Sequence, residues 1–184
     1  MTIEGNKCES ASPLAVFASL GRLHIVAIAA MGTFTFGWQF TGIYPWFLAG
    51  VTAFDWYIVN LINRVVDVPE DRVNRIVGVE LAYRYRKLLP SLSLLLLALS
   101  FVLTWVLAPQ ITLFRLAYQG LGAIYNWRLL PGKRRLKEVY FWKNTASAIG
   151  FIITCFAYPL ADTIFGNGVL AADVSSSTVL VTLL

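Results

Sequence analysis

Long runs of apolar residues, each bounded by a short polar segment, constrain this chain more than any other feature. The clearest run, residues 88–108, carries no charged side chain. An α-helix needs about 20 apolar residues to cross a bilayer, and a backbone inside lipid must satisfy its own hydrogen bonds. The pattern therefore predicts an all-α fold, a multi-pass transmembrane helical bundle.

We expect about five to six spans in this bundle. The chain is 58% hydrophobic and 14% charged, whereas a soluble domain is about 45–50% apolar and about 25% charged. Residues 1–20 form a polar cytoplasmic lead-in, and residues 21–184 form the transmembrane domain. The predicted spans cover residues 23–40, 46–66, 88–108, 111–127 and 139–160, followed by a sixth apolar stretch to Leu184.

The sixth stretch runs to Leu184 with no flanking charge or helix-stop signal. We therefore expect the transmembrane domain to be incomplete at its C-terminus, as part of a longer protein.

The basic residues indicate how the bundle is oriented. The net charge is +5, and of 15 Lys and Arg residues six lie in 64–87 and five in 128–138. Cytoplasmic loops of membrane proteins are enriched in Lys and Arg, which predicts that both charged loops and the N-terminus are cytoplasmic. Because these residues lie in short loops between apolar runs, they favour contact with membrane lipid, and we expect no nucleic-acid partner.

Cysteine chemistry and cleavable targeting are both disfavoured. The only cysteines are Cys8, in a polar tail, and Cys155, in an apolar run, which argues against a disulfide framework or a thiolate metal site. Residues 1–21 lack the apolar core of a signal peptide.

A row of oxygen-bearing side chains follows the second predicted span. On a helix, Asn60, Asn63, Asp67 and Asp71 fall within roughly 80° of one another. Carboxylate and amide oxygens suit Mg²⁺ that also carries substrate phosphates. The alternative is an interfacial helix neutralised by its own salt bridges. Pro69 is expected to kink the helix and distort this common face.

A second polar group surrounds the basic loop 128–138. Lys137 and Asn144 are seven residues apart and share a helix face, and with Lys143 they lead into an apolar span, where polar groups tend to face a bundle interior. The other polar residues of this region are Tyr125, which precedes the loop, and Lys133, Arg134 and Arg135, which we interpret as a positive membrane-surface anchor.

Two charged residues lie within predicted spans. Asp55 is in the second span and Arg115 in the fourth, where isolated charges are costly and are usually paired or functional. A structural Asp55–Arg115 pair is one possibility that the sequence leaves open. Arg22, which opens the first span, has interfacial snorkelling as its simplest role.

Together these residues resemble the UbiA-type intramembrane prenyltransferases over about residues 20–160. The first aspartate-rich motif of that family is matched by Asn63, Asp67 and Asp71. The further matches are Arg22, Arg72-Val73-Asn74, Tyr125, Leu136-Lys137 and Asn144.

The resemblance implies Mg²⁺-dependent transfer of a prenyl group from a prenyl diphosphate to an aromatic or lipophilic acceptor within the membrane. It assigns Asn63, Asp67 and Asp71 to the metal. It assigns the diphosphate to Arg22, Arg72, Lys137 and Lys143, and catalysis to Lys137, Tyr125 and Asn144.

One departure limits this expectation. The family has a second aspartate-rich motif, which the isolated Asp162 and Asp173 do not reproduce. The 184 residues of this chain alone are therefore expected to be inactive or weakly active. The alternative is a non-catalytic membrane protein that keeps the fold and binds an isoprenoid diphosphate or a partner. A small transporter or scaffold is disfavoured, because no internal repeat is evident and the polar residues concentrate at one face.

Overall fold

The computed structural model describes residues 12–128, 135–139 and 141–166, and this part of the chain contains helices and no strand. The sixth apolar stretch and the cations at 133 and 134 lie outside these residues. The helices are α1 (Pro13–Leu20), α2 (Leu23–Thr41), α3 (Trp46–Val66), α4 (Val68–Val73), α5 (Val79–Arg84), α6 (Leu88–Leu107), α7 (Thr112–Asn126), α8 (Trp142–Phe151) and α9 (Tyr158–Phe165).

The long helices pair through the short uncharged turns that the sequence predicts. Gly42 closes α2 in the left-handed region, with φ 71°, a conformation that glycine adopts without strain. Pro109 begins a single 3₁₀ turn between α6 and α7, where its missing amide hydrogen is not needed. Both turns return the chain directly into the next helix of the bundle.

α8 and α9 form one 24-residue helix, Trp142–Phe165, through a π-helical segment at Ile152–Ala157. Thr33 of α2 donates to the Thr154 carbonyl at 3.0 Å, and Trp56 of α3 donates to Thr154 Oγ1 at 3.0 Å. The wider turn thus offers polar atoms to two neighbouring helices. Small and hydroxyl-bearing residues at such contacts are typical of helix packing in membranes.

A fully buried ion pair joins α3 and α7. Asp55 and Arg115 are both 0% exposed. Arg115 Nε donates to Asp55 Oδ2 at 2.9 Å, and Nη2 donates to Oδ1 at 2.5 Å. The pairing that the sequence left open is therefore present, in the bidentate geometry that favours Arg–carboxylate bonds.

The remaining atoms of this pair are also hydrogen-bonded. Asp55 accepts further bonds from Gln119 at 3.0 Å and from the Tyr158 hydroxyl at 2.9 Å. Arg115 donates to Ser100 and Thr104 of α6. One buried network therefore joins α3, α6, α7 and α9.

Three helices in the described residues are long and apolar enough to cross a membrane. They are α2, α6 and the continuous helix of α8 and α9, with mean hydropathies of 1.3, 2.1 and 1.7. The sequence also predicts spans at α3 and α7, which are not among these three helices. α3 contains buried polar residues such as Asn60 and Asn63, and α7 has 15 residues, fewer than the roughly 20 that a perpendicular span requires.

We predict that Arg115→Met destabilises the bundle by about 3–5 kcal/mol, because it leaves the Asp55 carboxylate buried and unpaired. The double variant Asp55→Leu with Arg115→Met should lose less than the single variant. The measurement is the unfolding free energy of the detergent-solubilised chain. Arg128→Met removes an exposed cation and serves as control; equal losses in Arg115→Met and this control would contradict the prediction.

Candidate functional site

An apolar cavity of about 270 Å³ lies between α2, α3, α7 and α8. Its walls are mainly aliphatic and aromatic, and the polar side chains in its lining are Arg22, Asn60, Asn63, Tyr118, Tyr125 and Ser147. The apolar wall residues are Ile25, Ile28, Trp56, Val59, Leu121 and Phe151. A ligand that fills this space needs an apolar body and can meet polar side chains among these residues.

Arg22 reaches this cavity from an unusual backbone position. It precedes α2 in the left-handed region, with φ 49°, a conformation that is costly for a residue with a Cβ atom. Burial, and then the nearby Arg64 cation, lower the pKa of Arg22, while Tyr125, Asp71 and Asp67 act in the opposite direction. The cavity lining therefore includes the cationic side chain of Arg22.

Asn63, Asp67 and Asp71 lie on successive helical turns beside this end. The Asp67 amide donates to the Asn63 carbonyl, and the Asp71 amide donates to the Asp67 carbonyl, each at 2.9 Å. Pro69 lies in the first turn of α4, where an amide hydrogen is not required. The expected irregularity is present, since Asp67 separates α3 from α4 with φ −92° and ψ 6°, but the two hydrogen bonds keep the three residues on successive turns.

Each of the two carboxylates forms an ion pair with at least one cation. Lys137 forms an ion pair with Asp67 and lies 3.3 Å from Asn63 Oδ1. Arg64 Nη1 is 2.9 Å from Asp71 Oδ2. The row that the sequence predicts as a metal site is thus joined, in this structure, to the lysine predicted to act in catalysis.

Arg135 is a site residue that the sequence did not identify. Its side chain, interpreted from the sequence as part of a membrane-surface anchor, is 9% exposed and lies within ion pairs. It contacts Asp67 and Glu70 at 3.0 Å and Glu138 at 2.7 Å. Its hydrogen bond lowers the pKa of Glu138. The spacing of Arg135 and Glu138 was the only available signal, and it does not reveal contacts with residues about 65 positions earlier.

The other predicted site residues lie elsewhere. Arg72 donates two hydrogen bonds to Glu80, at 3.0 and 2.8 Å, outside the cavity. Lys143 and Asn144 are exposed in the first turn of α8. Lys143 lies one helical turn before Ser147, and of these two residues only Ser147 lines the cavity. The structure therefore brings together Arg22, Asn63, Asp67, Asp71, Tyr125 and Lys137, and leaves Arg72, Lys143 and Asn144 outside this group.

The metal-binding capacity of the row is limited. Within the described ranges, no three His, Cys, Asp or Glu side chains form a metal-binding group. Two carboxylates and the Asn63 amide oxygen nevertheless match the hard oxygen donors of Mg²⁺, which usually takes one or two carboxylates together with substrate phosphates. The donor set fits a metal that a phosphate-bearing ligand helps to hold.

No protein-family model, curated protein or solved structure matches this chain.

We predict that Arg135→Gln loosens the segment around Leu136–Glu138. The variant removes three charge-assisted hydrogen bonds, so we expect the free energy of local opening to fall by about 1.4 kcal/mol. Amide exchange in this segment should then become about tenfold faster. The measurement is hydrogen exchange at the Glu138 and Val139 amides, which bond to the Arg135 and Leu136 carbonyls. Arg128→Gln is the charge-matched control, and identical exchange in the two variants would refute this role of Arg135.

Proposed function

We propose that this chain is a UbiA-type prenyltransferase that transfers a prenyl group from a prenyl diphosphate to an aromatic or lipophilic acceptor in the membrane, with Mg²⁺ as cofactor. One observation carries the proposal: an apolar cavity ends at a compact group of cations, carboxylates and amides. A prenyl diphosphate has the matching division into an apolar chain and a charged head.

The cations support an anionic head group. Arg22 lines the cavity, and Lys137 and Arg135 both contact Asp67 beside it. Arginine binds phosphate through paired hydrogen bonds, and lysine acts as a compact point charge. We infer that Lys137 exchanges its bond with Asp67 for one with the diphosphate when substrate enters.

Asn63, Asp67 and Asp71 are the residues that would hold the metal. A bound Mg²⁺ would neutralise charge on the departing diphosphate. Around it, Arg22 and Lys137 hold the diphosphate oxygens, and the apolar walls exclude water from the reacting carbon. Preorganised charges of this kind stabilise a leaving group because they need little rearrangement during the reaction.

The proposed transfer breaks the bond between the first prenyl carbon and the diphosphate oxygen, which leaves with the bonding electrons. A nucleophilic atom of the acceptor forms the new bond to that carbon, and the acceptor then releases a proton to solvent. Tyr125, beside Arg22 in the cavity wall, is positioned to orient the reacting groups.

The membrane arrangement is part of the proposal. Three apolar helices support membrane insertion, and we infer that α3 and α7 cross beside them with their polar groups turned inward. The charged loops 64–87 and 128–138 then share the cytoplasmic side. Their contacts through Arg135, Asp67 and Glu70 support a common side for both loops.

A non-catalytic role is the second candidate. Its support is that Asp67 and Asp71 each have a cationic partner already, so the cluster is stable without a metal. Such a protein would bind a prenyl diphosphate and release no diphosphate from it. Measuring diphosphate release in the presence of aromatic acceptors separates this candidate from the transferase.

We predict that Lys137→Gln weakens the Mg²⁺-dependent binding of a prenyl thiodiphosphate by about 10- to 100-fold, since a hydrogen bond to a charged group contributes about 1.5–3 kcal/mol. The measurement is a binding titration of the purified chain in detergent. Arg128→Gln removes the same charge from an exposed site and should change the Kd by less than about twofold. No Mg²⁺-dependent binding to the unsubstituted chain would reject the proposed function.

A second prediction separates the cavity from the charged group. Ser147→Trp places a large ring in the cavity and should weaken binding of a prenyl thiodiphosphate about tenfold or more, because one displaced isoprenoid unit removes several buried carbons. Inorganic diphosphate should bind as before. Ala148→Trp, at an exposed neighbouring position that does not line the cavity, is the control. If both ligands weaken equally, the cavity does not hold the prenyl chain.

A further inference from the structure

A cluster of exposed cations lies outside the candidate site, between α4 and the start of α6. We call it the basic platform: Arg72, Arg75, Arg84, Arg86 and Lys87, all exposed. The only acidic residue between positions 72 and 87 is Glu80, which is paired with Arg72. In the described part of the chain, the other four platform cations form no ion pair with a carboxylate. The platform therefore keeps a strong positive charge toward its surroundings.

Aromatic rings hold several of these guanidinium groups. The Arg72 guanidinium lies 3.8 Å from the centre of the Tyr83 ring, and that of Arg86 lies 4.9 Å from the same centre. The Arg84 guanidinium is 5.7 Å from the centre of the Tyr85 ring. Cation–π contacts of this kind restrict an arginine side chain without neutralising its charge. The platform is consequently a partly ordered surface rather than a set of independent flexible chains.

The fold fixes the depth of the platform relative to the apolar helices. Lys87 directly precedes α6, the most apolar of the three candidate spans, with only 11% of its span buried in the bundle. Most of its leucines are exposed, including Leu88, Leu92 and Leu95. Because that surface requires lipid, the platform lies at the level where lipid head groups begin.

Neighbouring residues anchor the platform and extend its apolar border. Ala82 of α5 packs with Leu20 of α1 and Leu61 of α3 in one buried cluster, and Ser19 donates to the Val77 carbonyl at 2.9 Å. On the outer side of α1, Leu14 and Phe17 are 73% and 48% exposed. Exposed apolar side chains next to basic residues are typical of protein surfaces that insert into the head-group region of a membrane.

We propose that the basic platform binds the anionic phospholipids of the membrane in which the chain resides. The ligand class is a phosphate-bearing lipid head group with net negative charge, held by Arg84, Arg86 and Lys87 and bordered by apolar residues of α1 and α5. Basic clusters next to a membrane-spanning helix attract anionic lipid through charge summed over several residues. This binding surface is separate from prenyl transfer and stands whether or not the chain is an enzyme.

The test uses the whole chain reconstituted in phosphatidylcholine vesicles that contain trace spin-labelled phosphatidylserine or phosphatidylcholine. Spectra of the motionally restricted label give the relative association of each lipid with the protein. We expect a preference for phosphatidylserine that weakens as salt is raised, because exposed charges are screened. In the triple variant Arg84→Gln, Arg86→Gln, Lys87→Gln we expect the preference for phosphatidylserine to fall about tenfold or more. If the preference of the native chain is smaller than tenfold, the triple variant should lose nearly all of it.

Two control variants decide whether the platform itself is responsible. Arg84→Lys with Arg86→Lys keeps the charge and should retain most of the preference. Arg128→Gln with Lys143→Gln removes exposed cations elsewhere and should change it little. Equal preference in the native chain and the triple variant overturns the proposal, as does an equal loss in the Arg128 and Lys143 control. Platform-dependent binding of a soluble RNA homopolymer without any lipid preference also overturns it.

Discussion

The buried Asp55–Arg115 pair is the interaction on which the described bundle depends. Removing two charges from water costs several kcal/mol per ion, and the cost is recovered only where geometry and further hydrogen bonds are complete. Here both carboxylate oxygens and the guanidinium nitrogens have partners on four helices. An error in the position of any of these helices would leave a charged or polar atom unsatisfied, so the network selects one arrangement of the bundle.

That arrangement also sets the cavity walls. Asp55 is followed on α3 by Trp56, Val59, Asn60 and Asn63, all of which line the cavity. Trp56 is held from the opposite side by its hydrogen bond to Thr154 in the π-helical segment. The cavity walls are thus positioned by buried hydrogen bonds, whereas the charged residues beside the cavity are joined by ion pairs.

The sequence predicted what depends on local pattern. Apolar run length located the five long helices, and the spacing of Asn63, Asp67 and Asp71 anticipated their common row. The ion-pair partners of individual cations could not be predicted from this pattern. Arg135 contacts Asp67, 68 residues earlier, and Arg72 pairs with the nearby Glu80 outside the cavity. The sequence does not show that Arg135 is buried, because it lies in a run of basic residues and looks the same as its neighbours Lys133 and Arg134.

The balance of charge at the cavity end limits how it could accept a substrate. Arg135 and Lys137 already share Asp67, and Arg64 holds Asp71. A diphosphate that drew these cations away alone would leave the carboxylates buried without partners, and a metal ion alone would leave the cations without theirs. Entry of both together would exchange partners while keeping the number of opposite-charge contacts nearly constant. Binding of the two ligands should therefore be mutually favourable, as coupling between sites is reciprocal. A self-neutralised cluster is compatible with a metal site when the substrate brings compensating charge.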